Sequence, residues 1–140
     1  MVARPLSEVS VGDVVGPVTV PVSRETLVAY ANASLDQNPI PQDEAFARSV
    51  GLPDVIAHGM WTMAASGTVV ADWAGDAGRV VEFGTRFTKP VVVPSTGTEI
   101  VVQGVVTAVE ADTGRVTVDV TTTCGGEKVL GRCVAVVRLG

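Results

Sequence analysis

The most restrictive feature of this chain is the stretch from Thr98 to Leu139, where β-branched runs alternate with glycine-bearing turns. The runs are Thr98–Ala111 (TEIVVQGVVTAVEA), Arg115–Cys124 (RVTVDVTTTC) and Glu127–Leu139 (EKVLGRCVAVVRL). In the middle run Val116, Val118 and Val120 alternate with Thr117, Asp119 and Thr121, the period that puts every other side chain on one sheet face. Asp112-Thr113-Gly114 predicts a three-residue hairpin with glycine where positive φ is required, and Gly125-Gly126 a two-residue primed turn. Connections this short leave neighbouring strands only the antiparallel arrangement. Arg79–Pro90 (RVVEFGTRFTKP) adds a further strand, with Val81, Phe83, Arg86 and Phe87 in broken alternation. Valine is the commonest residue and aromatics are only 4% of the chain, so the core must be β-branched, which favours sheet.

The first half reads differently. Val11–Val22 fits an edge strand, because Pro17 and Pro21 each remove a ladder donor. Ser23 is placed to cap a short helix through Leu27, Val28, Tyr30 and Ala31, and Asp43 to cap another over Glu44–Val50, with Gly51 at C′. A third helix is expected from His58-Gly59 to about Trp73, its apolar positions Met60, Met63, Ala64, Gly67, Val70 and Ala71 at helical spacing. Ala65, Ser66 and Thr68 make that helix small or apolar nearly all round, so sheet should enclose it. An antiparallel sheet of about five strands wrapped around one such helix is the α+β arrangement called a hot-dog fold. A lone sheet of this kind leaves an edge and a helix flank uncovered, so a dimer is expected. No repeat, linker or second domain is visible, and residues 1–140 read as one domain.

Several classes are disfavoured. A net charge of -5 argues against a nucleic-acid footprint, and 46% hydrophobic against 18% charged residues argues against disorder. No apolar run reaches the ~18 residues of a membrane span. The start carries Arg4 with no apolar stretch behind it, so no secretory signal is expected and the cytoplasm is the expected compartment. One histidine, His58, and two cysteines, Cys124 and Cys133, do not make a closed zinc site. Across a two-residue Gly125-Gly126 turn Cys124 would face Glu127 and Cys133 would face Val118, which predicts reduced thiols rather than a disulfide.

The non-periodic information lies between Leu27 and Met60: Asp36-Gln37-Asn38-Pro39-Ile40-Pro41, then Ile56-Ala57-His58-Gly59-Met60. Here the chain resembles the MaoC-like (R)-specific enoyl hydratases and dehydratases, and is similar to the small subunits of mycobacterial-type (3R)-hydroxyacyl-carrier-protein dehydratases. The resemblance extends from Val11-Gly12-Asp13 to Arg86-Phe87-Thr88-Lys89-Pro90. The family motif is roughly D-x-N-P-[IL]-H, followed some twenty residues later by [AV]-H-G-M. Both parts are present, with Pro41 where the family has its catalytic histidine.

The resemblance implies roles for three residues. Asp36 matches the catalytic aspartate, Asn38 the asparagine that braces the loop, and Gly59 the glycine whose N–H receives the thioester carbonyl. Dehydrating a 3-hydroxyacyl thioester requires a base for the C2 proton, an acid for the hydroxyl and a donor for the enolate oxygen. A helix-N-terminal amide is such a donor, whereas Pro41 has no proton to give or take. His58 does not simply replace the missing histidine, since the family carries both; it is expected beside Met60 and Pro41 at the substrate wall, orienting the helix entry. The other readings stand alongside: Asp36 as a turn cap, Gly59 as a close-packing residue, Met60 and Met63 as core. Coenzyme A and acyl carrier protein are both anionic, which makes Arg86 and Lys89 carrier-contact candidates, or else solvated strand charges.

The implied ligand is an acyl thioester, 3-hydroxyacyl or 2-enoyl, with no cofactor and no metal. The implied partner is a second copy of the chain or a related hot-dog subunit. Three functions remain open: a dehydratase subunit without its own general base, an enzyme of altered chemistry using Asp36 alone (thioesterase, isomerase, addition or cyclisation), and a non-catalytic acyl-binding subunit.

Overall fold

The computed structural model describes residues 2–140. Its strands are β1 (Val14–Val22), β2 (Val80–Phe87), β3 (Thr98–Glu110), β4 (Arg115–Cys124), β5 (Glu127–Lys128) and β6 (Leu130–Arg138). Its helices are α1 (Arg24–Ser34), α2 (Glu44–Ser49) and α3 (Gly59–Ala74). The sheet runs β1-β3-β4-β6-β2, with β5 against β4, and every pair is antiparallel. It closes over α3, and valines from its inner face (Val15, Val102, Val106, Val116, Val118 and Val137) are at most 1% exposed. This is a hot-dog fold. Among the described residues no helix is long and apolar enough to cross a membrane.

The turn chemistry acts largely as the residues require. Gly125 and Gly126 adopt φ of 59° and 82°, the two positive values of a primed turn. The preceding hairpin has four residues rather than three, Ala111 to Gly114, closed by the Gly114 amide donating to Glu110 O at 2.8 Å. At Gly114 φ is 76°, and a Cβ would strike the Leu139 carbonyl oxygen. Edge strand β1 begins at Val14, not Val11, because Ser10–Asp13 forms a turn in which Asp13 Oδ2 accepts from the Ser10 amide at 2.9 Å. Pro17 falls in the register shift between Val15 and Val18, where no ladder donor is needed.

Two further expectations are corrected. The expected sheet of about five strands is present as β1-β3-β4-β6-β2, with the two-residue β5 split from the start of the last strand; the correction lies in that strand's register. Lys128 pairs with Thr123, whereas Cys133 pairs with Val120 instead of Val118. A bulge in which Arg132 takes φ of 45° absorbs the two-residue slip and lets β6 coil over α3. Because the slip is even, Cys133 still faces the core; both thiols are free.

The second correction concerns α3. Thr62, Ser66, Val69, Val70 and Ala74 are buried, while Met60, Ala64, Thr68 and Asp72 form an exposed stripe. Of the apolar positions at helical spacing only Val70 is buried, and the sheet does not enclose the helix on every side as expected. Two phenylalanines of β2 lie against α3's two glycines: a Cβ on Gly59 would come within 3.0 Å of the Phe87 ring, and one on Gly67 within 3.1 Å of Phe83. Eight helical residues rise about 12 Å and four strand residues span about 13 Å, so the two spacings match. Ser66 then points at Thr122, with the hydroxyl oxygens 2.7 Å apart and both residues fully buried.

Candidate active site

Three segments converge at the start of α3. The capping box at Ser23 starts α1, and Leu35, in the left-handed region at φ 65°, ends it and turns the chain into Asp36. Two consecutive Asx turns shape the following loop: Asp36 Oδ1 accepts from the Asn38 amide at 3.3 Å, and Asn38 Oδ1 from the Ile40 amide at 3.0 Å. Asn38 thus braces the loop, and Asp36 Oδ2 has no protein partner among the described residues. Arg24 holds this region to the body of the fold, donating to Glu44 at 2.9 Å, Asp54 at 2.6 Å and Val93 O at 3.2 Å.

His58 connects the loop to α3. Its ring is buried, tilted against Tyr30 at 4.8 Å, and Nε2 lies 3.0 Å from Asp36 O. A carbonyl only accepts, so Nε2 carries the hydrogen and donates; Nδ1 is sealed from solvent without a partner. His58 is the N-cap of α3 yet makes no side-chain capping bond, in contrast to Ser23 of α1 and Asp43 of α2. The Trp61 and Thr62 amides donate to His58 O, leaving the Gly59 and Met60 amides without intrahelical acceptors. The positive end of a sixteen-residue helix is therefore open.

These groups line a cavity of about 330 Å³ formed by Asp36, Asn38, Ile40, Pro41, Ile56, His58, Gly59, Met60 and Phe87, among others. The expected residues Asp36, Asn38, Pro41, His58, Gly59 and Met60 thus come together. Pro41 is buried and forms part of the wall. A neighbouring cavity of about 310 Å³ shares Ile56, Ala57, Gly59 and Phe87 and continues to Thr62, Thr88, Lys89, Val91 and Leu130. Lys89 stands at its wall, 3.3 Å from Glu127. Arg86 is exposed on edge strand β2 and lines neither cavity.

Sequence reasoning missed three participants: the Phe87 ring over Gly59, the Tyr30 ring on His58, and Thr62 in the wall of the neighbouring cavity. The first had a signal, since Phe83 and Phe87 are four apart while Gly59 and Gly67 are eight apart.

A hot-dog domain with an open helix N-terminus and a carboxylate in the lining of one cavity is the class of protein that fold and site define. The MaoC like domain family model matches residues 8–124, and the chain belongs to that family. It is 40% identical over 75 residues to the 3-hydroxyacyl-thioester dehydratase X of Mycobacterium tuberculosis, covering 54% of this chain and 26% of that protein. A solved MaoC-like dehydratase superposes with a TM-score of 0.96 at 35% identity, covering 99% of this chain and 43% of that one. The (R)-hydratase from A. caviae involved in PHA biosynthesis superposes with a TM-score of 0.83 at 25% identity, covering 94% of this chain and 98% of that one. The chain thus spans about a quarter of the length of the mycobacterial dehydratase and less than half of the first solved structure.

Proposed function

We propose that this chain is an acyl-thioester-binding member of the hydratase and dehydratase group, acting on 3-hydroxyacyl or 2-enoyl thioesters in fatty-acid or polyketide-type metabolism. Its own site lacks the general-base histidine, and it works in the cytoplasm as a subunit beside a second hot-dog chain that carries the complete Asp/His pair. Residues 1–140 act as one domain, without cofactor or metal.

The observation that carries this reading is the shared cavity of Asp36, Pro41 and the unbonded Gly59 amide. A thioester carbonyl at that amide would have its developing negative charge met by an N–H and the helix dipole together. Asp36, with Oδ2 free, is the group that can exchange a proton with the acyl chain. Pro41 supplies neither acid nor base. The exposed Met60-Ala64-Thr68 stripe of α3 and the open edge of β2 support a partner subunit. Lys89 supports an anionic carrier, coenzyme A or acyl carrier protein.

The test is hydration of crotonyl-coenzyme A. The chain alone shows little turnover, and Pro41→His raises it by about 10²-fold or more. Ordinary turnover by the unmodified chain overturns the reading of Pro41, and no gain in the variant overturns the intact-site reading. The free Asp36 Oδ2 favours one second reading, chemistry that needs a single carboxylate, such as thioester hydrolysis or double-bond isomerisation. Release of free thiol from acyl-coenzyme A by the unmodified chain identifies the hydrolytic form.

A further inference from the structure

We propose that Thr62 is a specificity-determining residue whose hydroxyl receives a neutral hydrogen-bonding group of the ligand, one helical turn from the carbonyl held at Gly59. The inference rests on the acyl-thioester reading and adds to it what the ligand must carry.

Thr62 follows Gly59 by three residues, which places both on one face of α3 about 4.5 Å apart along its axis. Both line the 310 Å³ cavity, whose other walls include Ile56, Phe87, Val91 and Leu130. Thr62 is only 3% exposed. Its helical neighbours commit their hydroxyls elsewhere: Ser66 Oγ donates to Thr62 O at 2.9 Å, and Thr68 Oγ1 to Ala64 O at 2.9 Å. The Thr62 hydroxyl has no partner among the described residues. Among the described residues the sealed, unpaired side-chain atom is His58 Nδ1, so the unpaired Thr62 hydroxyl retains a small exposure, and Thr62 lines the cavity.

A bare alkyl segment lying against that hydroxyl would strip its water and return nothing, which disfavours a plain chain at this point. A ligand with an amide or an oxygen substituent there restores the bond. An acyl thioester offers this chemistry from two sources, the amide of the carrier's cysteamine arm beyond the sulfur, or an oxygen on the acyl chain itself.

Titration of the purified chain with three probes separates them. S-butyryl-N-acetylcysteamine carries the arm amide, the S-butyl thioester of 5-hydroxyhexanoic acid carries a chain oxygen, and S-butyl butanethioate carries neither. Thr62→Val keeps the side-chain shape and removes the hydroxyl; Thr62→Ser retains the hydroxyl. Thr62→Val is expected to weaken one of the first two probes by about 3- to 10-fold and leave S-butyl butanethioate unchanged, with Thr62→Ser close to the unmodified protein. The responding probe identifies the source. Equal affinities of the unmodified protein and Thr62→Val for all three, or an equal loss for all three, overturns the inference alone. Failure of the unmodified chain to bind any of them overturns the thioester reading, and this inference with it.

Discussion

Replacing the buried Ser66–Thr122 pair tests how α3 is oriented in the sheet. Ser66 Oγ has one hydrogen, and it goes to Thr62 O, a carbonyl that only accepts. The 2.7 Å contact between hydroxyls must therefore use the Thr122 hydrogen, with Ser66 Oγ accepting. Thr122→Val leaves that oxygen buried without its donor, about 1–3 kcal/mol, offset by about 1 kcal/mol for the added apolar group. Ser66→Ala leaves the Thr122 hydrogen without an acceptor at a cost of about 1–3 kcal/mol. The double variant strands neither group and should cost less than the sum of the two by about 1–2 kcal/mol. Urea unfolding measures all three. Thr122→Val should lower Tm by roughly 0–8 °C and Ser66→Ala by roughly 3–12 °C, with the double variant no lower than the worse single. Additivity within about 0.3 kcal/mol would refute the donor assignment and the facing of α3 built on it.

Three further outcomes are expected. Asp36→Asn should abolish any turnover while thioester affinity stays within about 3-fold, because the amide retains the Asx turn but exchanges no proton; undiminished turnover removes Asp36 from the chemistry. Gly59→Ala should leave Tm within about 3 °C, since the half-exposed Phe87 ring can yield and alanine favours helix, yet weaken thioester binding about 10-fold by filling the junction of the two cavities. Isothermal titration calorimetry reads that loss, and unchanged affinity would exclude Gly59 as the carbonyl's contact. Burial raises the Cys133 thiol above its ordinary range, so the native thiol should resist iodoacetamide at pH 8 while Cys124 reacts, both reacting in urea. The unfolded chain then ionises Cys133 first and binds fewer protons, so unfolding free energy should fall as pH rises past about 8.5; a flat profile there argues against the buried placement.

Much of the architecture is legible in the residues. Period-two valines mark β3 and β4, paired glycines mark the turn after Cys124, and Ser23 and Asp43 mark their helices, because these signals act between near neighbours. The site motif is legible for a related reason: Asp36, Asn38 and Gly59 are local punctuation, two side chains that fold a turn and a glycine that starts a helix.

What the sequence alone determined is therefore the antiparallel strands, the helix starts and the absence of an acid–base group at Pro41, all set by local backbone preference and residue chemistry. Tertiary structure decided which face of α3 is buried, since a helix of alanine, glycine, serine and threonine has little amphipathic contrast and takes its orientation from Phe83, Phe87 and Thr122. It also decided the slip in β6, which follows from sheet curvature over the helix. The bond from the His58 ring to the Asp36 carbonyl and the placing of Thr62 in the cavity wall likewise arise only when distant segments pack together, because both are relations between surfaces rather than properties of either residue.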